Sequence, residues 1–327
     1  MQGLRVLDRL EVIAVVDNSL AVWTDPDRED VQRFSKWINA DEADDDKTIV
    51  AGGGLCLLLR ATEGDETRTV LYDAAEGEFS LANNVAALGL DMSDVDEIVM
   101  SHGHPDHFGG IIWALKKIGR KDTPVYTHPK MFLRRGWLVK KPEGDEIREL
   151  PTIASENEIE QAGGKIVSDD QPVLLANDML LRTGEVPRKT SYEKGLPPQM
   201  LWMDRKWKNE PLVRDDVSLV AKVKDRGIVV ISGCSHAGII NIIREGQRLT
   251  GEEQVHGIIG GLHLALGAHE GAMEKTIDEI VRIRPKLLVP CHCTGWRARH
   301  KMSNLLPDSY VEGSTGHKYI IDSVDVS

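Results

Sequence analysis

The segment that most constrains the fold of this chain is a cluster of polar side chains directly after a short apolar run. His102, His104, Asp106 and His107 lie within six residues, and the preceding run 98–100 is typical of a β-strand. Because side chains alternate along an extended segment, His102 and His104 project to the same side. Imidazole and carboxylate groups so close together suit zinc, iron or manganese. The segment therefore predicts a metal site at the end of a strand.

Short apolar runs rich in β-branched residues recur along the chain, and we interpret them as strands because Gly, Asp or Pro bounds them. These runs are 12–16, 55–59, 70–72, 98–100, 219–223, 228–231, 258–259 and 287–289. Apolar residues at helical spacing predict helices at 81–88, 111–118, 239–249 and 273–283. The strands form two groups, each followed by helices, which predicts two sheets packed together with helices outside.

Composition limits the partners and the compartment that we expect. A length of 327 residues suits one large or two small domains. The net charge of −12 disfavours nucleic acid, which needs a basic face. No apolar run reaches about 18 residues, and the N-terminal segment lacks a signal-peptide core, so we expect a cytoplasmic protein without a membrane partner. In a reducing cytosol its four cysteines would be free thiols or ligands.

The segment 184–216 is too long for an ordinary connection between strands. It holds four prolines together with Trp202 and Trp207, which favours an ordered lid over a disordered loop. Arg188 and three lysines of this segment could contact an anionic substrate, and the alternative is that they are simply solvated. The acidic run 41–46 is typical of a solvated loop.

A second group of candidate ligands follows the run 228–231, where a strand ends in Gly-Cys-Ser-His before a predicted helix. Cys234 and His236 could both point towards a metal, and the sequence leaves open which of them is the ligand. The alternative is that Cys234 is a buried small hydrophobic residue and Ser235 a helix N-cap.

A third group follows the run 287–289. Alternation predicts that Cys291 and Cys293 face one way and His292 the other. A structural zinc site built from Cys234, Cys291 and Cys293 would therefore compete with His292 as a metal ligand, and we favour His292.

Other polar residues have weaker signals. His263 follows a glycine pair and is either near the substrate and metals or structural. Asp73 is expected to support the histidine segment as a hydrogen-bond acceptor. The histidines without a motif are interpreted as surface or structural residues: His128, His256, His269, His300 and His317.

The H-x-H-x-D-H motif at 102–107 resembles that of the metallo-β-lactamase superfamily. Within the superfamily, Ser-Gly-Cys-Ser-His-Ala-Gly-Ile, Gly-Gly-Leu-His-Leu, Cys-His-Cys-Thr-Gly and Thr-Gly-Glu-Val-Pro-Arg look like one branch. That branch is the 7,8-dihydropterin-6-methyl-4-(β-D-ribofuranosyl)-aminobenzene-5′-phosphate synthase-like branch. The resemblance extends from about 17 to 321, nearly the whole chain.

This resemblance implies an α/β (α+β) chain, an αββα sandwich of two packed mixed sheets flanked by helices. It would be a single domain, 1–327, with the lid inserted at about 184–216. Two divalent transition-metal ions are implied, zinc first, with iron or manganese as alternatives. His102 and His104 would hold one ion, and the other would be held by three residues: Asp106, His107 and His292.

One departure from the superfamily concerns the first ion. Many members have Gly-His-Thr before the strand that precedes Cys234, and here the corresponding stretch is Gly-Glu-Val at 184–186. Glu185 could replace the missing ligand, His236 could supply it, or the site could bind one metal weakly.

The implied activity is that of a metal-dependent hydrolase that uses metal-bound hydroxide on a phosphoester, lactone or thioester-like small molecule. Asp106 and His236 are the expected catalytic residues, and Asp106 would orient the water or relay its proton. The expected substrate-binding residues are Glu185, Arg188, Trp202, Trp207 and His263.

Two other functions remain open. One is a transferase or synthase that joins a dihydropterin diphosphate to an aminobenzene riboside phosphate and releases diphosphate. The other is a non-catalytic metal-binding or ligand-sensing protein. The expected partner is a small, anionic substrate, on whose planar ring the lid tryptophans would stack. A homo-oligomer is compatible with the sequence.

Overall fold

The computed structural model describes residues 3–21, 28–38, 47–265 and 270–324. The predicted acidic loop at 41–46 and His269 lie outside these residues. The strands, in chain order, are β1 (Arg9–Val16), β2 (Val31–Gln32), β3 (Cys56–Glu63), β4 (Glu66–Tyr72), β5 (Glu97–Val99), β6 (Thr123–Thr127), β7 (Arg135–Val139), β8 (Glu146–Glu149), β9 (Gly164–Ser168), β10 (Val173–Leu175), β11 (Leu180–Arg182), β12 (Gln199–Met203), β13 (Lys206–Asn209), β14 (Ser218–Val223), β15 (Gly227–Ser232), β16 (Val255–Gly261), β17 (Leu287–Cys291) and β18 (Lys318–Asp322).

Helices connect and cover these strands. In chain order they are α1 (Phe34–Trp37), α2 (Glu78–Ala87), α3 (Pro105–Phe108), α4 (Ile111–Ile118), α5 (Glu156–Gln161), α6 (Ile239–Thr250), α7 (Glu270–Ile283) and α8 (Trp296–Leu305). Two short 3₁₀ segments occur at Met92–Asp94 and His292–Thr294. The predicted strands and helices all overlap elements of the structure.

Two large sheets carry most of the strands. In the part of the chain that the structure describes, the first sheet has eight strands in the order β2-β18-β1-β3-β4-β5-β6-β9. The second has six in the order β10-β11-β14-β15-β16-β17. Both sheets are mixed, because β4, β5, β6 and β9 run parallel, as do β15, β16 and β17, while other neighbours are antiparallel.

The hydrophobic core lies between the two sheets, and alternation explains why the strands are apolar on both faces. Leu57 and Leu59 of β3 share the central core with Val229 and Ile231 of β15, while Leu58 points to the other side of the first sheet. Residues packed on that outer side include those of α2 and α4, and α6, α7 and α8 cover the second sheet. Strands buried on both faces read as continuous apolar runs. The architecture is the predicted αββα sandwich.

A smaller sheet stands beside the sandwich, in the order β13-β12-β7-β8. Its β12 and β13 form a hairpin within the segment 184–216, and β12 pairs with β7 through the register Gln199↔Trp137. The segment predicted to be an ordered lid therefore contains strands of its own.

None of the helices among the described residues is long and apolar enough to cross a membrane.

Candidate metal centre

The candidate ligands follow strands whose carboxyl ends meet at one edge of the sandwich. His102, His104, Asp106 and His107 follow β5, and Asp73 follows the parallel neighbour β4. Because parallel strands end on the same side, residues that come directly after them are brought together although they are distant in sequence.

The second sheet supplies the opposite wall of the site. Cys234 and His236 follow β15, His263 follows β16 and His292 follows β17, and these three strands are parallel neighbours. The two walls approach closely at Gly233, because a Cβ added there would lie 2.3 Å from Oγ of Ser101. A glycine at this point lets the two ligand loops face each other.

Three histidines form the first cluster. Nε2 of His102 lies 2.8 Å from Nδ1 of His104, and Nε2 of His236 lies 3.2 Å from each of these two atoms. Three nitrogens on one tetrahedral zinc are about 3.3 Å apart, given Zn–N bonds of about 2.0–2.1 Å. The cluster therefore fits a metal ion. Of the two residues considered for the third ligand, Glu185 and His236, it is His236 that lies in the cluster.

The second cluster is formed by Asp106, His107 and His292. Oδ2 of Asp106 lies 3.8 Å from Nε2 of His107 and 3.5 Å from Nε2 of His292. Sγ of Cys234 lies 3.4 Å from Nε2 of His107. Nε2 of His292 is buried and has no well-formed hydrogen bond in the described part of the chain, the carboxylate of Asp106 being 3.5 Å away. A second cation would satisfy this nitrogen, since buried polar atoms are rarely left without a partner.

Buried carboxylates hold the ring of His107 and the backbone next to His236. Oδ2 of Asp73 accepts a hydrogen bond from Nδ1 of His107 at 2.6 Å, as expected for a supporting acceptor, so Nε2 faces the second cluster. On the other wall, Asp216 Oδ2 accepts a hydrogen bond from the backbone N–H of Ala237, next to His236.

The histidine segment is also held by residues of the segment 184–216. Oδ2 of Asp215 accepts a hydrogen bond from the backbone N–H of Gly103 at 2.8 Å, and Asp215 also forms a buried ion pair with Arg135. Nε2 of His104 lies 2.7 Å from Oε1 of Gln199 in β12. These contacts fix the position of the loop that carries His102 and His104.

Burial and charge set the protonation of the ligands. Burial and nearby His107 lower the pKa of His102 well below its usual value. Burial and Arg135 lower the pKa of His104 to about 4. Both rings are therefore neutral at neutral pH, which metal binding requires.

The second cluster behaves differently. Burial alone would lower the pKa of His107, but the carboxylates of Asp73 and Asp106 outweigh it and raise the value to about 9. Burial would raise the pKa of Asp106, yet His107 and His292 hold it well below its usual range. The two carboxylates thus stabilise a positive charge at this cluster, which can be the proton of His107 or a bound cation that replaces it.

Four residues around the centre that are not glycine adopt positive φ. The values are 63° at Asp73, 57° at Ser235, 43° at His263 and 49° at His292. Such conformations cost on the order of 1–3 kcal/mol each and persist where the surrounding structure imposes them. Their concentration at the strand ends agrees with a functional site. Ser235 is not a helix N-cap, because α6 begins only after Gly238.

The two clusters open into a cavity of about 440 Å³. Its polar lining residues include His104, Asp106, Cys234, His236, His263, His292 and Cys293. Its apolar lining comes from Pro105, Trp137, Leu150, Leu196 and Pro198. Trp137 has its ring centroid 5.4 Å from that of His104. Since Leu196 and Pro198 belong to the segment 184–216, part of this segment lies over the site.

The structure does not bring the other expected substrate-binding residues to this cavity. Trp202 and Trp207 pack edge to face, with ring centroids 5.4 Å apart, and Arg134 stacks over both rings. They form a cross-strand pair of the β12–β13 hairpin, so the hairpin turn rather than a ligand explains their position. The cavity tryptophan is Trp137, on the neighbouring strand.

Glu185 and Arg188 line a different cavity. Glu185 forms an ion pair with Arg214 and is absent from the histidine cluster. The guanidinium of Arg188 donates to the backbone carbonyl of Leu212, and its pKa is lowered by burial. The proline-rich connection before β12 carries both residues away from the strand ends. His263, in contrast, packs its ring 4.4 Å from that of His236 and lines the metal cavity.

The expected alternation around His292 is wrong. Strand β17 ends at Cys291, and a 3₁₀ turn begins at His292, so the period of two stops there. Cys291 is in the central core, while Cys293 lies beside His292 and Cys234.

Four residues that support or line the site had no recognised signal: Trp137, Gln199, Asp215 and Asp216. Each depends on a contact between distant segments. The paired aspartates shortly before the predicted strand 219–223 are the one local feature that could have indicated two of them, because the other candidate ligands also lie next to strand ends.

With this geometry in place, comparisons with known proteins agree on the class of the chain. Residues 49–292 match the family profile of the metallo-beta-lactamase superfamily, and the chain belongs to this superfamily. The resemblance inferred from the sequence motifs is confirmed.

Two relatives come from Methanocaldococcus jannaschii. The chain is 28% identical over 248 residues to its 7,8-dihydropterin-6-methyl-4-(beta-D-ribofuranosyl)-aminobenzene-5′-phosphate synthase, covering 76% of this chain and 82% of that protein. It is 29% identical over 249 residues to an uncharacterized protein of the same organism, covering 76% and 87%.

Among solved structures, the fold is similar to that of Tm1679, described as a metal-dependent hydrolase of the beta-lactamase superfamily. The TM-score is 0.68 at 20% identity, covering 96% of this chain and all of that one. This similarity supports the fold alone.

Proposed function

We propose that the chain is a metal-dependent enzyme that hydrolyses an ester-type bond in a small molecule, namely a phosphoester, lactone or thioester. The observation that carries the proposal is the convergence of three imidazole nitrogens, of His102, His104 and His236, at 2.8–3.2 Å beside a substrate-sized cavity. Pockets of a few hundred cubic ångströms suit small molecules.

The ligand sets fit divalent transition metals, with zinc favoured by imidazole and thiol groups. His102, His104 and His236 would hold one ion. The residues available for a second are Asp106, His107, Cys234 and His292. A divalent ion there would acidify a water molecule and polarise an electrophilic oxygen.

The chain's own residues supply position and proton transfer. The side chain of Asp106 is 39% exposed and lines the cavity, whereas those of His107 and His292 are 0% and 7% exposed. Asp106 is therefore placed to orient a water molecule and to accept its proton. Trp137, Leu196 and Pro198 would bind the apolar part of a substrate and exclude bulk water.

A second candidate is a synthase-type transferase, supported by the 28% identity to the named synthase. In this function a dihydropterin diphosphate would react with an aminobenzene riboside phosphate, and diphosphate would leave. The face of Trp137 in the cavity suits a planar ring.

Metal analysis and a substrate screen test both candidates together. Protein purified anaerobically without chelator should contain zinc, iron or manganese, and it should turn over at least one phosphoester, lactone or thioester. Diphosphate release that requires both synthase substrates would favour the transferase. His102→Ala should lose metal and turnover, while the control His300→Ala, an exposed helix residue, should lose neither.

Metal binding without turnover of any of these substrates would instead support the non-catalytic alternative. A chain that binds no metal after reconstitution would contradict all three functions.

A further inference from the structure

A second cavity, of about 420 Å³, adjoins the metal cavity. Gly103 and Pro105 of the histidine segment contribute to its wall, together with the segments 132–135 and 149–157. Pro105 and Leu150 line both cavities. We call this second cavity the side cleft. A molecule bound at the metals therefore has the side cleft as its direct neighbour.

The side cleft is apolar inside and polar at its rim. The half-buried residues of its lining are all apolar: Pro105, Phe132, Leu133, Leu150, Ile153 and Ala154. The exposed residues of the lining are mostly polar, as at Thr152 and at 155–157. A concave, largely apolar lining of this kind suits an apolar part of a small molecule.

The two arginines of the side cleft are already paired. Arg135 forms a buried ion pair with Asp215. Arg134 donates from Nε and Nη2 to the carboxylate of Glu149 at 2.6 and 2.8 Å, and its guanidinium also stacks over Trp202. The described lining therefore offers no free cation, so it does not favour a phosphate or carboxylate on the bound group.

A planar heterocycle is also a poor match for the side cleft. Phe132 is the aromatic residue of the lining, and its ring already packs edge to face on Phe108, with ring centroids 6.1 Å apart. Because the arginines are paired, few hydrogen-bonding groups are left inside for the edge of such a ring. An aliphatic chain needs none of these groups, since its binding depends on the apolar surface removed from water.

We propose that the side cleft binds an aliphatic chain of the substrate while the scissile bond lies at the metals. This inference rests on the proposed function and names its substrate class, which is a phosphoester, lactone or thioester that carries an unbranched alkyl or acyl chain. Leu150 and Pro105 would contact the chain where it passes from one cavity to the other. Ile153 and Ala154 would contact its far end.

Isothermal titration calorimetry with straight-chain carboxylates tests the side cleft without turnover. Acetate, hexanoate and decanoate are titrated into the full-length, zinc-loaded protein. Affinity should rise by about fourfold for each CH₂ group that enters the cleft. The wild-type series does not depend on whether any variant folds, and equal affinity for hexanoate and decanoate would overturn the inference by itself.

Filling the side cleft should remove this dependence on chain length. Ala154→Trp should weaken decanoate binding by about tenfold or more and leave acetate binding and metal content unchanged. Leu133→Trp, which fills the cleft from another segment, should have the same effect. Glu160→Trp is the matched control, because Glu160 is an exposed residue of α5 outside the lining, and it should bind decanoate as the wild-type protein does. Tight decanoate binding in both cleft variants would place the chain elsewhere and contradict the inference.

The same variants apply to any substrate that the screen finds. For matched short-chain and long-chain substrates, Ala154→Trp should lower kcat/KM by about tenfold or more for the long chain only. Turnover without a chain-length preference contradicts the inference and leaves the proposed function in place. Chain-dependent binding without turnover contradicts the proposed function and leaves the side cleft as a chain-binding site, whereas a protein that binds no metal contradicts both.

Discussion

Nε2 of His104 lies 2.7 Å from Oε1 of Gln199, a residue 95 positions later on strand β12. The amide oxygen accepts a hydrogen bond from this nitrogen, so the proton of His104 is on Nε2 and the lone pair of Nδ1 faces His102 and His236. Partners of this kind fix the tautomer and ring orientation of metal-binding histidines. The small sheet beside the sandwich is thereby connected to the first metal cluster.

The first prediction concerns this contact. Gln199→Leu should weaken metal binding at the three-histidine cluster by about 10–100-fold, because the His104 ring loses the acceptor that orients it. Competition with a chelator of known affinity measures the change. Gln161→Leu, at an exposed position of α5, should bind metal as the wild-type protein does. Equal metal affinity in the Gln199 variant would mean that packing alone holds the ring.

Asp73 gives the corresponding prediction for the second cluster. It accepts hydrogen bonds from His107 Nδ1 at 2.6 Å and from the N–H and hydroxyl of Ser101 at 2.7 Å. Asp73→Asn should therefore weaken binding of the ion at the second cluster by about 10–100-fold and leave binding at the first cluster unchanged. Metal content after dialysis against a weak chelator reports both. The exposed Asp178→Asn is the control, and loss of both ions would show a general collapse of the loop.

A third prediction separates the tryptophan of the cavity from those of the hairpin. Trp137→Ala should raise KM by about fivefold, corresponding to about 1 kcal/mol of lost ring contact, with full metal content. Trp202→Ala should leave KM unchanged because its ring packs on Trp207 and Arg134. Steady-state kinetics with any substrate found in the screen decide the matter. A larger rise of KM in Trp202→Ala than in Trp137→Ala would indicate that the substrate stacks on the hairpin tryptophans.

The fourth prediction is a pH dependence outside the metal centre. Burial, Arg226, Lys286 and Arg28 lower the pKa of His256 to about 4, with Asp30 opposing them. A folded pKa below the unfolded value of about 6.5 gives stability that is present above pH 6.5 and is lost as the pH falls towards 4.

Between pH 7 and pH 5 the wild-type protein should therefore lose on the order of 1–2 kcal/mol that His256→Gln does not lose. Urea unfolding at both pH values, at equal metal loading, measures the difference. His300→Gln, at an exposed position, should follow the wild-type protein. Identical pH slopes for the wild-type protein and the His256 variant would show that burial does not shift this histidine.

Much of the sandwich could be predicted from the sequence because its strands are buried on both faces. Runs such as 228–231 are apolar at every position, and the structure places Ile228 and Val230 on one side of β15 and Val229 and Ile231 on the other. The small sheet could not be predicted in this way. Strands such as Glu146–Glu149 and Lys206–Asn209 are mostly polar and at most half-buried, and therefore carry no continuous apolar pattern.

The metal site was likewise predictable only in part. The sequence by itself determined the ligand types and the shared direction of His102 and His104, because covalent geometry makes side chains alternate along a short extended segment. It also placed Cys234, His236 and His292 directly after strands.

Only the tertiary structure decided which of these residues meet. His236 rather than Glu185 joins His102, across 134 positions of sequence, because β15 and β5 end at the same edge of the two packed sheets. Alternation failed at Cys293 for a related reason: the strand ends one residue before His292, whose backbone N–H donates to Oδ1 of the distant Asp17, and a 3₁₀ turn follows. Local geometry sets where a side chain points within a strand, and contacts between distant strands set where the strand stops and what it faces.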